Sequence, residues 1–375
     1  MGIALMNVYA FALPAQAYYN PSAYGLESAV DGWVWLFSFL FIEDKFRTLF
    51  AVLFGAGCLI LFETSSTKLW RSHLARMATL FAIGLAHSVV LANNDVLRAY
   101  AMAGLFLPFF RFLKSYSLYA IAIGLLTVHF GLGVVAFGLS VLDFHQGAVN
   151  SDASLFAERN FGTDPAAIAY SLRLGEEDLT QRIIRRSSTI IPQLSVVASS
   201  LPLNLAAMVL GMALWRDRML SGEWRTFRLQ RTAALCCVIS LPALFLLAWW
   251  VSAANFPGAL VGATALVLSA PFDTLLGLAY ALAMMAFFKS NQRFIQICAA
   301  VGRLSLSNYI ATSGIFAALF ASWGFGLFAS VSRAEAFALS LLPIAAMIIW
   351  SPIWLAKFGQ GPLERLWRGA ARRLS

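Results

Sequence analysis

The sequence predicts an all-α protein, a polytopic transmembrane helix bundle of about ten membrane helices with both termini cytoplasmic. Three observations predict it. Of the 375 residues, 60% are hydrophobic and only 12% charged, and the mean hydropathy is +0.75, a composition that belongs in lipid. The apolar residues form runs, several close to the roughly 20 residues that a helix needs to cross a bilayer. With the N-terminus placed inside, 18 of the 27 Lys and Arg fall in inward-facing connections, as expected when cationic loops stay cytoplasmic. The formal charge of +9 is thereby accounted for by topology, and no nucleic-acid surface is expected.

Each element follows from this pattern. The opening run of about 13 apolar residues, GIALMNVYAFALPA, is too short to span and lacks the basic start of a signal peptide. It is expected to be a partial helix or the remainder of a longer one. Residues 33–42 are also short, and read as an interfacial or re-entrant helix. Spans are expected at 46–62, 75–92, 96–112, 118–142, 194–215, 233–253, 261–288, 304–323 and 336–356. In the first of these, Gly55 and Gly57 allow a neighbouring helix to come close. The only extended polar segment is 143–193, an extracytoplasmic loop in which Glu176, Glu177, Asp178, Arg182, Arg185 and Arg186 read as a charged amphipathic helix. Such a helix either caps the bundle or contacts a polar acceptor or headgroup. The tail, 358–375, is a basic amphipathic helix on the cytoplasmic side, suited to anionic lipid. The chain, 1–375, is therefore read as one integral membrane domain without internal repeats. Cys58, Cys236, Cys237 and Cys298 lie in or beside apolar runs, without disulfide or metal-ligand spacing, and read as packing residues.

A charged group at membrane depth costs about 3 kcal/mol or more, so polar residues inside apolar runs are candidates for function. His87 stands about five residues before the outer end of its span, some 8 Å below the rim. Its imidazole suits a general base. The turn Asn93-Asn94-Asp95 reverses the chain and can return Asp95 toward His87, where a carboxylate would fix the tautomer. Arg98, three residues on, suits a substrate carboxylate or phosphate, and Asn94 sits at the lip of the same hairpin. The plainer alternative is a buried histidine on a helix carbonyl, with Asp95 capping a helix and pairing with Arg98. Asp273 follows Pro271 inside an apolar run and is read either as a second polar wall or as a neutral buried acid. At the cytoplasmic start of a later span, Arg303, Asn308 and Tyr309 can bind the polar part of a donor, or cap a helix and bond to its neighbours. His129 reads as an interhelical hydrogen-bond residue, and His73 and His145 as interfacial. There is no P-loop, HExxH, CxxC or GxSxG, and no metal site is expected.

The segments 45–50 and 53–57, Gly84-Leu85-Ala86-His87, Asp95-Val96-Leu97, Ala99-Tyr100-Ala101, Gly302-Arg303 to Asn308-Tyr309, and Gly361-Pro362-Leu363-Glu364 to Trp367-Arg368 resemble the YeiB-like bacterial membrane proteins, domain of unknown function 418. The likeness runs nearly end to end. Members usually begin with a basic, Asp-x-x-Arg-Gly segment that is absent here, which fits a clipped first helix. The hydropathy and the His-bearing third helix also resemble, more remotely, the transmembrane acyltransferases that include the heparan glucosaminide acetyltransferases. These resemblances imply a bacterial inner-membrane protein that passes an acyl group from cytosolic acyl-CoA to an extracytoplasmic small-molecule or glycan acceptor. His87 would be the base or acyl carrier and Asp95 would orient it. Acyl-CoA would be a donor substrate, with no covalently bound cofactor, and membrane lipids and the acceptor would be the partners. The oligomeric state is open, a homodimer included. The rival readings are a transporter or exporter of a small anion, with Arg98 as its binding charge, and a non-catalytic scaffold.

Overall fold

The computed structural model describes residues 1–64, 69–148, 150–287 and 292–374; among them the chain is helical and contains no strand. Lys68 and Lys289, both part of the charge bias above, lie outside the described residues. Helix α1 (Gly2–Ala12) leads through two 3₁₀ turns to α2 (Ala29–Phe41), and α3 (Lys45–Thr64) follows. Asp31 starts α2 by accepting the Ser28 N–H at 2.9 Å and the Ser28 hydroxyl at 2.8 Å. Residues 33–42, expected as a separate interfacial or re-entrant helix, instead run on into α3, and Ala29–Thr64 is one apolar stretch of 36 residues. The break lies at Asp44, whose φ of 57° interrupts the helical ladder.

The hairpin α4 (Leu69–Val90) and α5 (Val96–Gly104) comes next, then the single turn α6 (Leu107–Phe110) and the long α7 (Ser115–Gln146). The expected span 96–112 is thus broken after nine residues. Beyond α7 the polar segment folds into α8 (Asp152–Phe161), α9 (Pro165–Gly175) and α10 (Leu179–Ser188). Helices α11 (Ile190–Ser199) and α12 (Leu201–Arg216) are together apolar enough to cross a membrane and meet at a bend of 50°, the geometry of a broken span or a re-entrant loop. The remainder is α13 (Thr226–Ala253), α14 (Gly258–Ala263), a π turn at Thr264–Leu268, α15 (Ala270–Phe287), α16 (Gln292–Arg303), α17 (Ser305–Phe320), α18 (Arg333–Leu339), α19 (Leu341–Phe358) and α20 (Pro362–Leu374). Among the described residues, six stretches are long and apolar enough to cross a membrane, or seven with the bent pair. The count of ten also took in shorter apolar helices such as α1 and α17.

Packing centres on α3 and α12, which meet backbone to backbone. A Cβ placed on Gly55 would lie 1.9 Å from the Met208 carbonyl oxygen, and one on Gly211 would lie 1.9 Å from that of Val52. The buried core built on this crossing includes Val52, Leu59, Met208, Met212, Leu107 and Leu118. At the end opposite α8–α10, the C-terminal α20 lies along α4, and the Trp367 indole N–H donates to the Arg76 carbonyl at 3.0 Å. Glu364 of α20 caps α17 by accepting the N–H groups of Leu306 and Ser307 at 2.8 and 3.0 Å.

Candidate functional site

The turn between α4 and α5 brings His87 and Asp95 together. Asp95 is the N-cap of α5, its Oδ2 accepting the Arg98 N–H at 2.9 Å, while its Oδ1 accepts the His87 Nδ1–H at 2.8 Å. This hairpin is close because residue 84 has no side chain: a Cβ there would lie 2.6 Å from Asp95 Oδ2. With Nδ1 committed to the carboxylate, the lone pair of the neutral imidazole is on Nε2. That atom is buried and has no hydrogen-bond partner among the described residues.

Tyr309 completes the cluster from α17. Its hydroxyl donates to Asp95 Oδ1 at 3.4 Å and accepts the Val96 N–H at 3.3 Å, and its ring centroid lies 4.9 Å from that of His87. Arg98 is folded into the same wall: it donates to the Asn93 carbonyl at 2.8 Å and the Gln193 side chain at 3.2 Å, with Nε 3.7 Å from Asp95 Oδ2. Asp95 therefore has both oxygens occupied.

This wall faces a cavity of about 720 Å³ lined by Asn93, Asn94, Asp95 and Arg98, and across from them by residues of α1, α7, α9, α10 and α11. Its polar lining includes Asp44 and Arg47 from the break before α3. Arg47 donates to Asp44 at 2.7 Å and to Asn204 at 3.1 Å. Arg182, Arg185 and Arg186 of α10 line it as well. Arg185 holds both oxygens of Glu177 at 2.6 and 2.7 Å, and Arg186 donates to the Ser88 carbonyl at 3.3 Å. Burial, with Arg182 and Arg185 alongside, pushes the Arg186 guanidinium down to about 9, so it remains charged at neutral pH.

The structure places the other expected residues elsewhere. His87 does not itself line the cavity; it stands behind Asp95. Asp273 is not a cavity wall but lies 2.6 Å from the Lys45 ammonium, both fully buried, while that ammonium also donates to the Phe39 carbonyl. The pair ties the α2–α3 break to α15. Asn308 is consumed by neighbours: its amide donates to the Val301 carbonyl at 3.0 Å and the Ser351 hydroxyl at 3.1 Å, and its oxygen accepts the Trp350 indole N–H at 2.8 Å. Arg303 is exposed at the end of α16. Arg303, Asn308 and Tyr309 thus form no common site. His129 bonds the Leu266 carbonyl at 2.9 Å, and His73, expected at an interface, is buried on the Gly104 carbonyl at 2.7 Å. Among the described residues no three His, Cys, Asp or Glu side chains are grouped to hold a metal ion.

Fold and site together define a helical membrane protein whose polar residues converge on one cationic cavity beside a buried histidine–aspartate pair. The chain belongs to the YeiB-like family: it is 32% identical to the uncharacterized protein YeiB of Escherichia coli (strain K12) over 384 aligned residues, covering 98% of this chain and 92% of that protein. The uncharacterized protein YxaH of Bacillus subtilis (strain 168) is 27% identical over 345 residues, 88% of this chain and 80% of that one. The family described as protein of unknown function (DUF418) matches residues 214–373. That segment supplies Tyr309, while His87, Asp95 and the cavity arginines lie before it. No solved structure matches.

Proposed function

We propose that this is a bacterial inner-membrane transferase that moves an acyl group from cytosolic acyl-CoA to an acceptor held in the cavity on the extracytoplasmic side. The observation that carries the reading is the His87–Asp95 pair with its unpartnered Nε2. A buried acceptor without a donor costs about 1–3 kcal/mol, a cost that an acceptor hydroxyl or amine relieves on binding. Asp95, with both oxygens occupied, is the orienting group and not the base. The acceptor O–H or N–H hands its proton to Nε2 as its oxygen or nitrogen attacks the thioester carbonyl. The carbon–sulfur bond then breaks, and the proton passes to the CoA thiolate. Because His87 stands behind the cavity wall, part of that wall must move before transfer. Arg303, exposed at the opposite end, is a cationic contact for a CoA phosphate.

The test is acyl-CoA binding and turnover by the purified protein in lipid nanodiscs. His87→Gln is expected to lower turnover by about 10²–10⁴-fold, the range of a lost general base, and to leave acyl-CoA binding intact. Arg303→Ala is expected to weaken that binding. A second reading, a carrier of a small anion, draws on the surplus of arginine around the cavity. It predicts no saturable acyl-CoA binding by either the wild type or the variants, a result that would overturn the transferase reading.

A further inference from the structure

Five arginines line the cavity: Arg47, Arg98, Arg182, Arg185 and Arg186. Three have acidic neighbours, since Arg47 meets Asp44, Arg98 lies near Asp95 and Arg185 is held by Glu177. Glu177 lies within electrostatic reach of Arg182 and Arg186 as well, but its two oxygens are held by Arg185, and neither of the two makes a salt bridge among the described residues. Arg182 is only 8% exposed and its side chain makes no hydrogen bond or salt bridge to any described residue, while the Arg186 side chain has one long bond to a carbonyl and a buried Nε without a partner among the described residues. They stand four apart on α10, on one helix face. One carboxylate shared among three arginines leaves a surplus of buried and half-buried cationic charge that an anion relieves.

The rest of the lining is mostly apolar, and includes Phe11, Phe137, Val267 and Phe320. Two apolar lining residues are themselves exposed: Leu132 of α7 is 52% exposed and Val196 of α11 is 71% exposed. Both sit in stretches apolar enough to lie in a membrane. The cavity therefore has an exposed apolar side at Leu132 and Val196, in addition to its cationic roof.

We infer that the cavity binds a phosphate-bearing lipid, with its phosphate between Arg182 and Arg186 and its hydrocarbon leaving by the exposed apolar side at Leu132 and Val196. Guanidinium forks match phosphate oxygens in pairs, and an amphiphile is the ligand that satisfies charge and apolar wall at once. That this lipid is the acceptor of the transfer rests on the function proposed above; the binding itself does not.

The experiment is a titration of the purified full-length protein in neutral detergent with dioctanoyl phosphatidic acid, dioctanoylglycerol and inorganic phosphate, followed by intrinsic fluorescence and thermal shift. Phosphatidic acid is expected to bind saturably, and the other two at least about tenfold more weakly, since each lacks one half of the match. Arg182→Gln/Arg186→Gln is expected to weaken phosphatidic acid at least about tenfold, and Arg182→Lys/Arg186→Lys to recover part of the loss. Leu132→Trp/Val196→Trp, which crowds that apolar side without touching the charges, is expected to weaken the lipid but not inorganic phosphate, and decides the matter should the glutamine variant fail to fold. Unchanged lipid binding in the glutamine or the tryptophan variant overturns the inference. Inorganic phosphate binding as tightly as the lipid overturns the lipid part and points to a soluble anion. His87→Gln should bind phosphatidic acid as the wild type does, so loss of turnover with binding retained separates a failure of the chemistry from a failure of this site.

Discussion

Lys45 and Asp273 pair at 2.6 Å with almost no exposure, so each is the other's counter-charge for leaving water. Asp273→Ala leaves the Lys45 ammonium buried and uncompensated, and is expected to cost about 3–5 kcal/mol in a reversible unfolding titration in mixed micelles. Lys45→Met/Asp273→Leu removes both charges together and is expected to recover most of that loss. A recovery of this kind would show that the pair holds the α2–α3 break in place and has no part in chemistry. His87 is the contrasting residue, because its Nδ1 is satisfied and its Nε2 is not. These two buried carboxylates thus separate by their partners: Asp273 is paired with a lysine, whereas Asp95, besides Arg98, holds an imidazole whose Nε2 has no partner among the described residues.

At the scale of elements, the crossing of α3 over α12 is the closest approach in the core. Because the atoms facing Gly55 and Gly211 are backbone carbonyls, no side-chain rotation makes room for a methyl group. Gly55→Ala must therefore move one helix away from the other. We expect it to destabilise the fold by about 1–3 kcal/mol, the range for overpacking a tight core, as measured in the same unfolding titration. Gly57 has nothing within reach of an added Cβ, and Gly57→Ala is the matched control, expected to be neutral or slightly stabilising. The sequence pointed to both glycines as contact positions, and packing distinguishes them. Gly84 has a related role in the α4–α5 hairpin, where its missing side chain lets Asp95 reach His87.

The whole molecule has two ends of different character. One carries α8–α10 and the cationic cavity; the other carries α16, α20 and the arginine-rich connections. The charge bias predicts that the second faces the cytoplasm. In a background with its cysteines replaced by serine, a cysteine at Tyr170, 52% exposed on α9, is expected to react with a membrane-impermeant maleimide in intact cells. One at Glu223, 53% exposed in the connection after α12, is expected to react only after permeabilisation. Labelling in the reverse order would invert the cavity and remove the basis for an extracytoplasmic acceptor.

What the sequence determined by itself was local or compositional. Composition and run length decided a helical membrane protein, because transfer into hydrocarbon depends on what a segment contains and not on its neighbours. The His87–Asp95–Arg98 constellation was legible because one hairpin joins its members, and the distances along a turn are set by backbone geometry. Tertiary structure alone decided the rest. Tyr309 reaches Asp95 across 214 residues, Lys45 meets Asp273, and Arg182 and Arg186, visible in the sequence as part of a charged helix, become the roof of a cavity. Helices that are apolar nearly all round carry no stripe to say which face meets which neighbour, since lipid tails are as apolar as leucine. Close packing of small residues and the pairing of buried polar groups make that choice, and both depend on partners far away in the chain.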